Sequence, residues 1–282
     1  GELEADPQLQ EEAKQAMLKT LNDIYWHSDV RRLEEIRTVF SLPDEIYTQP
    51  EFQEAARRSA KSQLSRYLNM DGFGRVDEVG LQVARSLQEK FNIPAGELEA
   101  DPQLQEEAKQ AMLKTLNGHA GWSYELGQLE KIRTNLFLPD EIYTQPEFQE
   151  VARNSAKLEL SRYLNLNRGR LQIARSLQEK FNIPAGELEA DPQLQEEAKQ
   201  AMLKELSSGF LDSFETIRSN FFVPDEVYTQ PEFQEVARRS AKLQLSNYLS
   251  QYDDRYQSVV SELYLQVARS LQEKFNIPAG EL

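Results

Sequence analysis

The sequence predicts an all-α fold of six helical hairpins, about twelve helices, arranged as three long repeats. Three observations predict it. A stretch of thirty residues, ARSLQEKFNIPAGELEADPQLQEEAKQAML, occupies positions 84–113 and recurs unchanged at 174–203; its second half opens the chain and its first half closes it. Apolar residues recur at helical spacing, as in Leu104, Ala108, Met112 and Leu116. Proline and N-capping residues punctuate these stripes at regular intervals, and no stretch alternates convincingly as a strand.

The triplet Gly-Glu-Leu begins at Gly1, Gly96, Gly186 and Gly280, so successive copies lie 95, 90 and 94 residues apart. Self-similarity at a nearly fixed period signals stacked repeats, here 1–95, 96–185 and 186–282, read as one continuous domain over 1–282. Each long repeat divides again. One half carries FNIPAGELEADPQLQEEAKQA from Phe91, and the other carries FSLPDEIYTQPEFQEAARRSA from Phe40. Both run from an aromatic through an apolar-Pro pair and a linker to a second Pro and an Ala-rich amphipathic run.

Taken in order, the first helix of the first hairpin type starts where Asp6, Asp101 or Asp191 precedes a proline, with Asp as N-cap and Pro at the first helical position. In the second type, Thr48 and Glu51 read as a Thr-x-x-Glu capping box, with Tyr47 and Phe52 as a hydrophobic staple. The set recurs as Tyr143, Thr144, Glu147 and Phe148, and as Tyr228, Thr229, Glu232 and Phe233. Phe52, Ala56, Ala60, Leu64 and Tyr67 then form one stripe. The second helices carry Leu81, Ala84, Leu87 and Phe91, or Leu33, Ile36 and Phe40, and stop before Pro94 or Pro43.

Small alanines at repeated interior positions permit close helix packing. In period and pattern the chain resembles HEAT-like and armadillo-like α-solenoids, whose repeats run about 40 to 47 residues. That resemblance is one of pattern and covers the whole chain. An open solenoid needs polar terminal repeats, yet residues 1–22 are identical to the internal 96–117. A closed, pseudo-threefold α-toroid explains this, and an open superhelix covered by another copy is the alternative. A closed ring would be monomeric.

Composition excludes several function classes. With 47 acidic against 32 basic residues the formal net charge is −15, and no Lys/Arg run offsets it, so nucleic acid and anionic membrane are poor partners. No apolar run reaches the roughly 20 residues of a membrane helix. Without cysteine there is no thiolate metal site and no cysteine nucleophile. No secretory leader is evident, and the start at Gly1 fits a processed or tag-cleaved chain, soluble and cytoplasmic or recombinant.

The copies differ inside the hairpins, at 23–35, 118–131 and 208–216 in one type and at 69–80, 165–170 and 250–264 in the other. Intra-hairpin loops of a stack share one edge, so one rim is diverse and the opposite rim constant. The diverse rim holds Tyr25, Trp26, His27, Phe73, His119, Trp122, Tyr124, Phe210, Tyr252 and Tyr256, including both tryptophans and both histidines of the chain. Aromatic, glycine-punctuated loops on a rigid scaffold have the composition of a protein- or peptide-binding surface. Threefold repetition also places Arg85, Arg175 and Arg269 at one register, with Arg37, Arg133 and Arg218 at another. Such a set is a candidate anion ring on the axis. The plainer expectation is local pairing, for example Arg85 with Glu89.

His27 with Asp29 is the one acid-base pair in sight, and it lacks a neighbouring nucleophile. His27 and His119 lack the fixed carboxylate that a metal pair requires. No phosphate loop, zinc-protease motif or nucleophile elbow occurs. The chain is therefore expected to be no enzyme and to hold no cofactor or metal. Identity extends to exposed Gln and Glu, which points to engineering from one unit or to very recent duplication. The expected function is an engineered binding scaffold; a structural ring without ligand and a small-molecule or anion site in the channel are the alternatives.

Overall fold

A computed structural model describes residues 6–69, 77–117, 122–165, 170–251 and 258–282. Within them lie twelve α-helices and no strand. In chain order these are α1 (Pro7–Asn22), α2 (His27–Val39), α3 (Pro50–Leu68), α4 (Glu78–Lys90), α5 (Pro102–Asn117) and α6 (Trp122–Asn135). They continue as α7 (Pro146–Asn165), α8 (Arg170–Lys180), α9 (Pro192–Ser207), α10 (Leu211–Asn220), α11 (Pro231–Gln251) and α12 (Ser258–Lys274). The fold class is all-α, as the periodicity predicts. The chain groups into two compact units, Gly1–Val151 and Ala152–Leu282.

In the first unit α1 packs on α2, α3 on α4 and α5 on α6, while α1, α3 and α5 stack in sequence and α2 touches α4. In the second unit α9 packs on α10 and α11 on α12, with α9 against α11. Consecutive helices therefore pair, and neighbouring pairs stack through their first helices. The apolar stripe of α3 is buried at Phe52, Ala56, Ala60, Leu64 and Tyr67, and that of α5 at Leu104, Ala108, Met112 and Leu116.

The aspartate caps form as expected. Asp6 Oδ1 accepts from the Gln8 and Leu9 amides, Asp101 Oδ1 from Gln103 and Leu104, and Asp191 Oδ1 from Gln193 and Leu194. The threonine capping boxes do not. Pro50 occupies the first position of α3 and drives Gln49 into extended backbone, so Gln49 is the N-cap. Thr48 closes a short 3₁₀ turn, Asp44–Thr48, and its hydroxyl donates to Glu45 O at 2.7 Å. Thr144 and Thr229 do the same with Glu141 and Glu226. A proline one residue after the predicted cap moves the helix start beyond the threonine.

All six second helices end alike. Ser41, Asn92, Phe137, Asn182, Phe222 and Asn276 have φ between 48° and 54°. The following amide reaches back, as Leu42 N to Arg37 O at 2.9 Å and Ile93 N to Gln88 O at 2.8 Å. This is the left-handed C-terminal motif, which satisfies carbonyls the helix leaves open. Asparagine tolerates that conformation; Phe137 and Phe222 adopt it with their rings exposed.

A glutamine completes the hairpin. Each first helix begins Pro-x-x-Gln. Gln10, Gln53, Gln105, Gln195 and Gln234 donate through Nε2 to the carbonyls of Phe40, Phe91, Leu136, Phe221 and Phe275, each at the end of the paired second helix. One side chain thus ties the start of one helix to the finish of its partner.

Candidate functional site

The segments that vary between copies are shorter as loops than the sequence suggests. α2 starts at His27, α4 at Glu78, α6 at Trp122, α8 at Arg170, α10 at Leu211 and α12 at Ser258, so most of 23–35, 118–131, 208–216 and 250–264 is helical. The first loop shows why. Asp29, two residues inside α2, turns its Oδ2 back to accept from Tyr25 N at 2.9 Å and Trp26 N at 2.8 Å, which starts the helix early. The Asp29 carboxylate is thus engaged by two backbone amides.

That loop is fastened to α3 as well. Ile24 O accepts from Gln63 Nε2 at 2.7 Å, and Tyr25 O accepts from Arg66 Nη1 at 3.0 Å. The Arg66 guanidinium lies 5.2 Å from the Tyr25 ring centre and 5.8 Å from that of Trp26, and its Nε meets Asp77 Oδ2 at 2.6 Å. Yet Tyr25 is 62% and Trp26 57% exposed. Two large aromatic rings are held in water by a backbone that has little freedom left. Beside them runs a cleft of about 480 Å³ lined by Ile24, Tyr25, Arg58, Ser62, Gln63 and Arg66.

Phe210 likewise stands 61% exposed, just ahead of α10. His27 opens α2, and Trp122 and Tyr124 fall in the first turn of α6, but their side chains lie outside the described residues. Phe73, His119, Tyr252 and Tyr256 lie outside them altogether. The structure thus brings together Tyr25 and Trp26 among the ten rim residues and places Phe210 in the other unit.

The arginine register is used for hairpin-to-hairpin bonding. Arg85 pairs with Glu99 and not with Glu89; it also donates to Gln88 Oε1 at 2.8 Å and to Asn135 O at 3.0 Å. Glu99 is fully buried and accepts further from Gln88 Nε2 and Gly96 N. Arg175, Glu189, Gln178, Gly186 and Asn220 repeat the arrangement. Burial forces the choice: a carboxylate without water needs an opposing charge, whereas Glu89 remains solvated. Arg269 is exposed and has no carboxylate partner among the described residues.

Arg37 is bound by Glu34 and by Asp44 at 2.7 Å. Glu34 also receives Tyr47 Oη at 2.8 Å and the Lys90 ammonium, and these donors, Arg37 first, hold its carboxyl down at about 2. Burial and the bond to Glu34 push the Tyr47 hydroxyl up. Glu130 with Arg133 and Tyr143, and Glu215 with Arg218, Tyr228 and Lys274, are built alike. Burial, helped by the nearby Asp140 charge, raises Tyr143 to about 12. Both arginine sets are thus neutralised locally where they pair. No group of acidic and histidine residues among those described has the spacing of a metal site.

Sequence reasoning missed Glu99, Glu189 and the glutamine of the Pro-x-x-Gln start. The signal was their fixed offset from a linker proline. Comparison with known proteins finds no family model that matches the chain, and no matching curated protein or solved structure.

Proposed function

We propose that the chain is a non-enzymatic helical-repeat scaffold, engineered from one unit, that binds a protein or peptide through its variable hairpin loops. The observation that carries this reading is the Tyr25–Trp26 pair: large, exposed rings on a loop already fixed by Asp29, Gln63 and Arg66. Such rings lose little conformational entropy on binding and bury much area. The net charge of −15 favours a protein partner over nucleic acid or anionic lipid. The test is a displayed random-peptide library panned against the chain and against the double variant Tyr25→Ser/Trp26→Ser. Peptides enriched on the parent should lose at least about tenfold in affinity on the variant, at unchanged melting temperature. Enrichment that ignores the variant, or no enrichment at all, favours instead a structural ring without ligand.

Ring closure belongs to the same proposal. What it would have to cover is apolar surface that copies elsewhere bury: Leu249 is 69% exposed, whereas its counterpart Leu68 is 6% exposed. Leu243 and Leu263 on the same last hairpin are also exposed, as is Ala16 of α1, whose counterpart Ala111 is buried. Closure would bring these faces together.

A further inference from the structure

We propose that the second unit contains a separate small-molecule site, a cavity between α7, α8, α9 and α10 that takes an organic ammonium ion with an apolar body. The cavity measures about 520 Å³, within the range of ligand pockets. Tyr163, Leu164, Leu171 and Ile217 give it an apolar floor, and Glu205, Asp212, Ser213 and Thr216 complete its lining.

Comparison between copies within the chain shows how the cavity arises. The floor residues have close equivalents in the preceding repeat, namely Tyr67, Leu68, Leu81 and Ile132. The polar lining does not. Ser213 stands where the earlier copies have Arg32 and Gln128, and Thr216 where they have Glu35 and Lys131. In the first unit Gln128 is only 1% exposed, while Lys131 reaches Glu78 at 2.7 Å. Short side chains at 213 and 216 leave that volume open in the second unit.

The charge is equally particular to this copy. Residues 191–204 repeat 101–114 without change, and the first departure is Glu205, in place of Thr115. Thr115 is buried there and its hydroxyl bonds Ala111 O at 2.9 Å. Asp212 replaces Gly127. Neither Glu205 nor Asp212 has an ion pair among the described residues, and Lys204, also on the rim, is exposed and unpaired there as well. The Lys204 stem can cover apolar surface while its ammonium stays in water. Two carboxylates beside an apolar floor, in a chain of net charge −15, select a cation that carries hydrocarbon.

The test uses the whole chain and 2-phenylethylammonium, with 2-phenylethanol and 3-phenylpropionate as neutral and anionic counterparts, followed by methyl NMR of Leu164, Leu171 and Ile217. The ammonium should shift these methyls and bind at least about tenfold tighter than either counterpart. Glu205→Thr with Asp212→Gly, residues the second copy already tolerates, should erase that preference. Ser213→Gln with Thr216→Lys should abolish binding of all three by refilling the cavity. No methyl shift with the ammonium, equal affinity for the three probes, or undiminished binding by the refilled variant overturns the proposal. The peptide reading of the Tyr25 loop stands or falls separately.

Discussion

Glu34 receives donors from three different elements: Arg37 on its own helix, Tyr47 on the linker and Lys90 on the neighbouring hairpin. Its carboxyl is held near 2, below the ordinary carboxylate range. The folded state therefore binds fewer protons than the unfolded state in between, so the contribution is complete above about pH 5 and is lost as pH falls towards 2. The side chain is 40% exposed, and solvent screening limits that contribution to about 1 kcal/mol. Glu34→Gln should lower stability by that order at neutral pH and should flatten the fall in stability between pH 5 and 2, measured by urea unfolding across pH. An unchanged acid slope would mean the carboxylate does not anchor the hairpins. This cluster was half legible in the sequence. Arg37 and its copies stood out by register, but the partners lie three, thirteen and fifty-six residues from Glu34, too irregularly for spacing to find. Tyr25 and Trp26 were legible because exposed aromatics in variable segments need no partner to be noticed.

Helices and hairpins were the most readable scale, since proline, aspartate and alanine act locally. What escaped were the effects of a neighbour on a boundary: Asp29 starting α2 early, and Pro50 pushing the cap from Thr48 to Gln49. Gly80 is another such neighbour effect. It reads as loop punctuation in the sequence, yet it lies in the first turn of α4, where a Cβ would meet Gln63 O at 2.7 Å and Tyr67 N at 3.0 Å. Backbone cannot swing aside as a side chain can. The copies carry Arg170 and Tyr264 at this place. Gly80→Ala should cost about 1–3 kcal/mol through overpacking, even though alanine is the better helix former. Thermal unfolding decides it: a rise in melting temperature would show that α4 shifts away at no cost.

For the molecule as a whole, the question is what covers the last hairpin. Leu243, Leu249 and Leu263 present hydrocarbon to water on α11 and α12, although the same helices bury Phe233, Ala237, Ala241, Ala268 and Leu271 on their inner side. An exposed apolar face marks a candidate contact surface, which under the proposed closure would be met by the α1 face with Ala16. Contact within one chain closes a ring; contact between chains is head-to-tail and does not stop at two. The two outcomes separate cleanly. Leu249→Asp with Leu263→Asp should lower the melting temperature of a ring by several degrees, with a monomer mass before and after by light scattering. If chains instead join end to end, the parent should grow in mass with concentration and the variant should fall to monomer, with melting temperature changed little at high dilution. The ring reading requires the first pattern, because only there does the lost contact belong to the folding of a single chain.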